Sequence, residues 1–208
     1  MTLRVRFLAE FTLSRKTRFF PFVALRVRMA CEGLGMTEWE YFQMKKRTAV
    51  YPGTFDPVSN GHLDLIKRGL RIFDKLIVAV ALNPTKNPLF NIDERVNFIR
   101  EAVKVWKNVE VEAFDNLLID YVKKKKADVI IKGLRAVSDF EHELQMSLMN
   151  RRLDTHIETV FMMPSEEYSF LSSKVLKEVA SLKGDIRGMV PSAVVEGLKR
   201  KFKNKKTF

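Results

Sequence analysis

The chain has 208 residues, of which 46% are hydrophobic and 30% charged, as expected for one soluble domain with a sizeable core. Its single cysteine, Cys31, excludes an internal disulfide and a Cys-x-x-Cys metal site and favours a cytoplasmic protein. No central uncharged run approaches the roughly 20 residues that span a bilayer, so we expect no membrane partner. The net charge of +12 can attract nucleic acid, an anionic membrane or phosphorylated small molecules, and does not choose among them.

The first segment of the chain, residues 1–43, keeps no helical or strand period beyond a few residues. It is either an arginine-rich, acid-poor targeting peptide or upstream sequence attached by a misplaced start, with the true beginning at Met44. We favour the second interpretation. The sequence therefore predicts an N-terminal extension over 1–43, one domain over 44–203 and a basic tail over 204–208.

From residue 47 onward, strands and helices alternate. The pattern predicts strands at 48–51, 75–81, 109–113, 128–131 and 157–162. It predicts helices at 63–73, 93–103, 117–125, 138–152, 172–182 and 192–202. Three strands are apolar on both faces, which indicates an α/β fold: a Rossmann-like, doubly wound, five-stranded parallel sheet with helices on both faces. In such sheets ligands bind at the carboxyl ends of the strands.

Groups suited to phosphate follow several of these strands. After the first strand, Gly53 would allow close backbone approach, Thr54 offers a hydroxyl, and His62 stands near a helix start, where phosphates bind well. A lone histidine at such a position is about as often a structural residue as a ligand-binding one. Lys86 stands in a proline-bounded turn after the second strand, and taken alone such a lysine is more often an ordinary surface charge than a phosphate ligand.

Two further strand ends carry similar groups. Lys132 and Arg135 flank Gly133 after the fourth strand, which makes a plausible anion cradle. Ser172 and Ser173, after the fifth, could cap the following helix or contact a phosphate. No acidic pair suggests two-metal chemistry, and no Ser-His-Asp or Cys-His set is evident. The glycines match neither a dinucleotide-binding fingerprint nor a Walker A loop, which argues against a dehydrogenase or a P-loop ATPase.

Four motifs resemble those of the phosphopantetheine adenylyltransferase family. The first is Tyr-Pro-Gly-Thr-Phe-Asp-Pro at 51–57 with Asn-Gly-His at 60–62, a variant of the His-x-Gly-His motif with Ser59 at the first histidine position. The others are Gly-Leu-Arg-Ala-Val-Ser-Asp-Phe-Glu at 133–141, Met-Asn-Arg at 149–151 and Tyr-Ser-Phe-Leu-Ser-Ser at 168–173. The resemblance covers about residues 45–203.

The resemblance implies adenylyl transfer from ATP to the 4′-phosphate of phosphopantetheine, giving dephospho-coenzyme A and pyrophosphate. It implies a homohexamer, and Mg²⁺ held by the ATP phosphates with no metal-ligating protein side chain. Catalysis would rest on His62 as transition-state stabiliser, with Lys86 and Arg135. Phosphopantetheine would contact Thr54, Lys86, Leu118 and Lys132. ATP would contact Thr54, Phe55, His62, Gly133, Leu134, Arg135, Glu143, Tyr168, Ser169, Phe170, Leu171, Ser172, Ser173 and Lys174.

Two positions depart from the family pattern. Lys132 stands where arginine is frequent and loses the planar bidentate fork, so phosphopantetheine affinity is expected to be weaker. Lys174 stands where a third serine is common, and would add a phosphate contact or point to solvent.

Three rival functions remain at this stage. The first is a transferase of the same superfamily with another acceptor, such as glycerol phosphate or a nicotinamide nucleotide. The second is a catalytically dead relative, and intact Thr54, His62 and Arg135 argue against it. The third is a basic RNA-binding protein. It would need stacking platforms or a known motif, and the sequence has neither, so we expect no nucleic-acid partner.

Overall fold

A computed structural model describes residues 47–83, 87–135 and 137–203, together with Gly33 and Gly35; for residues 137 and 138 it describes the backbone only. The chain divides into two units, Met1–Lys46 and Arg47–Phe208. Apart from the two glycines, the predicted extension lies outside the described residues, as does the predicted tail. Their boundaries stay predictions.

Five parallel strands form one sheet in the described part of the chain. They are β1 (Thr48–Gly53), β2 (Lys75–Ala81), β3 (Val109–Phe114), β4 (Val129–Gly133) and β5 (Glu158–Met162). The sheet order is β3-β2-β1-β4-β5, and every neighbouring pair is parallel. The strand order therefore reverses between β1 and β4, which places a topological switch point at their carboxyl ends. The predicted fold class is confirmed.

Among the described residues, six α-helices cover this sheet. They are α1 (Asn60–Gly69), α2 (Ile92–Val103), α3 (Leu118–Lys124), α4 (Val137–Leu153), α5 (Ser173–Ser181) and α6 (Ser192–Phe202). Alternate residues of β1 enter different cores: Ala49 and Tyr51 pack in the cluster that α1, α2, α5 and α6 complete, and Val50 packs in the cluster with α3. Both faces of the central strands are thus buried, which explains their continuous apolar runs. None of the helices in the described ranges is long and apolar enough to cross a bilayer.

One helix start lies three residues from the prediction and the other five lie within one residue; α4, for example, begins at Val137, so Ser138 is inside the helix and does not open it. Helix α1 begins at Asn60, not 63, because Ser59 is its N-cap. Helix α2 begins at Ile92, so Asp93 is not its cap. Instead, the Asn91 side chain accepts from the Glu94 N–H at 2.8 Å, and the Glu94 carboxylate accepts from the Asn91 N–H at 2.9 Å. This reciprocal capping box satisfies two otherwise unpaired backbone donors and sets the start of the helix.

Candidate active site

A cleft of about 940 Å³ opens at the carboxyl ends of β1 and β4, at the switch point of the sheet. Segments distant in sequence meet there: the loop after β1, the end of β4, one face of α4 and the start of α5. The predicted site residues that line this cleft are Thr54, Phe55, His62, Leu118, Lys132, Gly133, Arg135, Glu143, Tyr168, Leu171, Ser172, Ser173 and Lys174.

Three predicted nucleotide contacts do not line the cleft. The backbone N–H of Leu134 donates to the Met162 carbonyl at 3.0 Å, which holds this residue to the end of β5. The Ser169 hydroxyl donates to the carbonyl of Glu166 at 2.9 Å, and the Phe170 side chain is 64% exposed to solvent. The geometry therefore gives no support to an ATP contact for these three residues. Lys86 lies outside the described residues.

His62 belongs to an unusual capping box at the start of α1. The Ser59 side chain accepts from the His62 N–H at 3.4 Å, while the Ser59 backbone N–H donates to His62 Nδ1 at 2.9 Å. Histidine thus occupies the position that glutamate or glutamine usually fills in this motif. Because Nδ1 accepts a hydrogen bond, the neutral ring carries its proton on Nε2. The helix cap fixes the tautomer of the imidazole.

The environment of His62 keeps its ring uncharged. Burial, and to a smaller extent the positive charge of Arg135, lower the pKa of His62 to about 4. Phe55 packs edge-on against the imidazole at a centroid distance of 5.1 Å, and Tyr51 lies 6.4 Å away. At neutral pH the ring is therefore a neutral Nε2–H donor at the cleft.

The loop after β1 is tightly packed beside this histidine. Phe55 has φ +49°, in the left-handed region that side chains rarely adopt, and its ring is buried. A Cβ on Gly53 would lie 2.9 Å from that ring. Gly53 is thus required by its neighbour Phe55, whereas the sequence suggested close approach to a ligand. Similarly, a Cβ on Gly133 would lie 2.6 Å from Leu65, so its glycine allows β4 to pack against α1.

The basic residues after β4 are paired with acids on α4. Arg135 donates from Nε and Nη2 to the two carboxylate oxygens of Asp139 at 2.9 and 3.1 Å, and from Nη1 to the Leu171 carbonyl at 2.9 Å. Lys132 Nζ lies 3.1 Å from Glu143 Oε2, in poor hydrogen-bond geometry, so that oxygen is buried without an aligned donor. Two cations of the predicted anion cradle are thus held in place by protein carboxylates.

The serines at the start of α5 already have partners. The Ser172 side chain caps the helix by accepting from the Val175 N–H at 3.1 Å, and the Ser173 hydroxyl donates to the Pro57 carbonyl at 2.9 Å. These bonds bring the N-terminus of α5 to the loop after β1. Such a terminus carries partial positive charge and suits an anion. Lys174 is exposed in the first turn, at the edge of the cleft.

Several cleft residues escaped the sequence reasoning. One face of α4 lines the cleft with Asp139, His142, Glu143 and Met146, at helical spacings of three and four. This spacing was a readable signal once Glu143 had been placed in the site. Tyr51 and Asp56 lie in the first motif, beside Thr54, but were given no role. Lys177 had no such local signal, because it reaches the cleft from α5, far along the chain from the other segments.

The cleft has a small excess of basic over acidic side chains, which suits a phosphate-bearing ligand. Lys132, Arg135, Lys174 and Lys177 line it. Burial and the negative charge of Glu143 raise the pKa of Tyr51, although Arg135 opposes them, so this phenol stays protonated. Within the described ranges, no group of three or more His, Cys, Asp and Glu residues forms a metal site.

Comparison with known proteins assigns the family. A sequence profile described as cytidylyltransferase-like matches residues 50–179. A phosphopantetheine adenylyltransferase from Thermodesulfovibrio yellowstonii is 58% identical over 158 residues, which are 76% of this chain and 98% of that protein. One from Alkaliphilus metalliredigens is 53% identical over 155 residues, which are 74% of this chain and 99% of that protein. The chain belongs to the phosphopantetheine adenylyltransferase family. It is a nucleotidyltransferase.

A solved structure of low sequence identity has the same fold. It is described as a nicotinate-nucleotide adenylyltransferase from Vibrio parahaemolyticus and matches with a TM-score of 0.60 at 15% identity, covering 77% of this chain and 98% of that one. This likeness supports the nucleotidyltransferase fold alone, since the sequence identity is too low to infer a shared substrate.

The His62 environment predicts an unusual titration. Nuclear magnetic resonance of labelled histidine should show His62 protonating near pH 4, with Nε2 carrying the proton above that pH. Since the folded pKa lies below the ordinary value of about 6.5, the unfolded chain binds more protons between the two values. The stability contributed by the neutral ring is therefore complete above about pH 6.5 and is lost as pH falls towards 4. A His62 midpoint above pH 6 would contradict this environment.

Proposed function

We propose that the protein transfers the adenylyl group of ATP to the 4′-phosphate of phosphopantetheine, releasing pyrophosphate and forming dephospho-coenzyme A. The observation that carries this proposal is the convergence of Thr54, His62, Lys132 and Arg135 on one cleft. These residues come from motifs far apart in the sequence, and they are the groups that a phosphate-to-phosphate transfer needs. The names of the relatives supply the acceptor.

The proposed reaction needs positioning and charge stabilisation more than a protein nucleophile. An oxygen of the acceptor phosphate attacks the α-phosphorus, and the bond from that phosphorus to the bridging oxygen breaks. Pyrophosphate leaves with the bonding electrons. The Nε2–H of His62 donates to an α-phosphate oxygen, where negative charge increases in the transition state. A neutral donor gives this hydrogen bond without a proton transfer.

The other residues have proposed binding roles. Thr54 and Lys86 orient the attacking phosphate, Lys132 contacts it, and Leu118 contacts the pantetheine arm. Lys86 and Arg135 also take part in the proposed catalysis. The nucleotide is proposed to contact Thr54, Phe55, His62, Gly133, Arg135, Glu143, Tyr168, Leu171, Ser172, Ser173 and Lys174.

Arg135 can serve ATP without giving up its protein contacts. A guanidinium has five N–H donors, and Asp139 and the Leu171 carbonyl use three of them. Two donors are left for phosphate oxygens. The bidentate pair with Asp139 fixes the plane of the guanidinium before the nucleotide arrives.

Magnesium is proposed to enter with ATP. Three acidic side chains line the cleft in the described part of the chain, and each is paired with a base: Asp56 with Lys177, Asp139 with Arg135, and Glu143 with Lys132. This arrangement fits an ion held by substrate phosphates and water, which is how Mg²⁺ is usually bound in nucleotide sites. The ion would neutralise charge on the pyrophosphate leaving group.

We further propose that the protein is cytoplasmic, binds no nucleic acid and assembles as a homohexamer. Helix α4 supports self-association, because it exposes a stripe of apolar side chains at a spacing of four residues: Phe140, Leu144 and Leu148. Exposed apolar patches of this kind mark protein–protein contacts in soluble proteins.

The acceptor is tested by pyrophosphate release from Mg-ATP with phosphopantetheine, glycerol 3-phosphate and nicotinamide mononucleotide in parallel. We expect release with phosphopantetheine alone. Release with another acceptor would keep the phosphate site and overturn the substrate. No release with any acceptor, from folded protein that still binds ATP, would indicate a catalytically dead relative.

The role of His62 is tested by the variants His62→Ala and His62→Gln. Both should lower kcat by about 100-fold or more, since loss of one well-placed donor to a developing oxyanion has that effect, and both should keep ATP binding. Only His62→Ala should lower Tm clearly, because glutamine can still accept from the Ser59 N–H as in an ordinary capping box. Near-normal turnover in His62→Ala would remove the histidine from the mechanism.

The α4 stripe is tested by Leu148→Glu. The side chain is 59% exposed, so in a monomer a charge there should be tolerated. In the proposed hexamer it would be buried without a partner, and sedimentation equilibrium should show smaller species. Leu182→Glu, at a 71% exposed position after α5, is the matched control and should leave the assembly intact. A monomeric wild-type protein, or an unchanged Leu148→Glu hexamer, would rule out this interface.

A further inference from the structure

The loop after β1 carries Thr54 into the cleft, and two buried charged side chains hold it there. These are Asp56 on the loop itself and Arg95 on α2, with relative exposures of 5% and 1%. Neither was identified from the sequence, and neither has a role in the proposed reaction. Buried charges are costly unless they are paired and hydrogen-bonded, so their contacts show what they do.

Asp56 connects three segments through its carboxylate. Oδ1 accepts from the Phe90 N–H at 2.9 Å, and Oδ2 accepts from the Leu89 N–H at 2.9 Å and from Lys177 Nζ at 2.5 Å. The first two contacts tie the loop after β1 to the segment before α2. The third ties the same loop to α5.

Arg95 holds the same loop from the other side. Its Nη1 donates to the Thr54 carbonyl at 2.7 Å and to the Ala81 carbonyl at 3.0 Å, and its Nε donates to the Phe90 carbonyl at 3.1 Å. Phe90 is thus held by Asp56 at its N–H and by Arg95 at its carbonyl. The two charges also interact, because Asp56 raises the pKa of Arg95 against the larger lowering by burial.

We propose that Asp56 and Arg95 are positioning residues, which set the place of Thr54 and of the Phe55 ring in the reaction cleft. This inference rests on the proposed role of Thr54 in adenylyl transfer. The two anchors flank Phe55, since Arg95 holds the carbonyl before it and Asp56 follows it directly in the chain. Phe55 is held at φ +49° between them, with its ring 5.1 Å from that of His62. Loosening either anchor therefore shifts Thr54 and the wall behind His62 together.

The test is a double-mutant cycle between Asp56→Asn and Thr54→Val, read as kcat/KM for phosphopantetheine. Asparagine keeps the shape but cannot accept from both backbone N–H groups and the lysine. We expect Asp56→Asn to lower kcat/KM by about tenfold or more, because a misplacement of about 1 Å can cost about 100-fold. If Asp56 acts through Thr54, the double variant falls no more than about twofold below the worse single variant, since only independent effects multiply.

Asp64→Asn is the matched control for this cycle. Asp64 also holds a loop, because its Oδ2 accepts from the Ser165 N–H at 2.9 Å and from the Ser165 hydroxyl at 3.0 Å. Its loop follows β5 and does not carry Thr54, so the effects of Asp64→Asn and Thr54→Val should multiply. The thermal unfolding transition of each variant is measured first, and its kinetics are recorded below that temperature. The proposal is overturned if Asp56→Asn multiplies with Thr54→Val as the control does, or changes kcat/KM by less than about twofold.

Arg95→Lys supplies the second variant if Asp56→Asn does not fold. Lysine keeps the charge but lacks the planar fork that reaches three carbonyls, so it should show the same non-additive behaviour with Thr54→Val. Failure of the activity itself would be seen in the wild-type enzyme, as no pyrophosphate release with phosphopantetheine. The same cycle, measured as the dissociation constant for ATP, then decides whether Asp56 acts through Thr54 without reference to the acceptor.

Discussion

The architecture depends on hydrogen-bond partners for the backbone of a buried loop, which follows the central strand β1. Residues that follow β1 have no strand beside them, and a buried backbone without partners is costly. Arg95 supplies a donor for the Thr54 carbonyl, and Ser173 supplies one for Pro57. Asp56 in turn accepts from the N–H groups of Leu89 and Phe90. Since these partners lie on α2, on α5 and before α2, the same bonds that satisfy the loop assemble the cleft.

The cleft residues are oriented by ion pairs whose value lies in geometry more than in stability. A half-exposed pair such as Arg135 with Asp139 contributes about 1 kcal/mol or less to folding. An arginine side chain, however, carries about 2 kcal/mol of rotamer entropy, and the pair removes part of it before ligand binding. The carboxylates weaken the attraction for phosphate, but they hold the basic side chains in fixed orientations at the cleft before the ligand binds. Preorganisation of this kind favours affinity for a charged ligand.

Local sequence patterns predicted the strands and helices. The sheet order and the roles of the buried charges depend on long-range contacts, which local patterns do not show. The bounds of β2 and α6 match the prediction because a continuous apolar run and a helical period mark them in the sequence. The sheet order could not be predicted, since an apolar run does not indicate which other strands pair with it. Motifs identified Thr54, His62 and Arg135. Asp56 and Arg95 were given no role because their partners lie up to 121 residues away along the chain.

Helix α4 joins the cleft to the surface proposed for self-association. One side of the helix presents Glu143 to Lys132 in the cleft, and another side exposes Leu144 and Leu148. A helix with apolar groups on several sides is rarely stable against water on all of them. In the proposed hexamer, a neighbouring copy would cover the stripe and fix the helix from the side opposite the ligand. Assembly would then also restrain the position of Glu143 and, through their ion pair, that of Lys132.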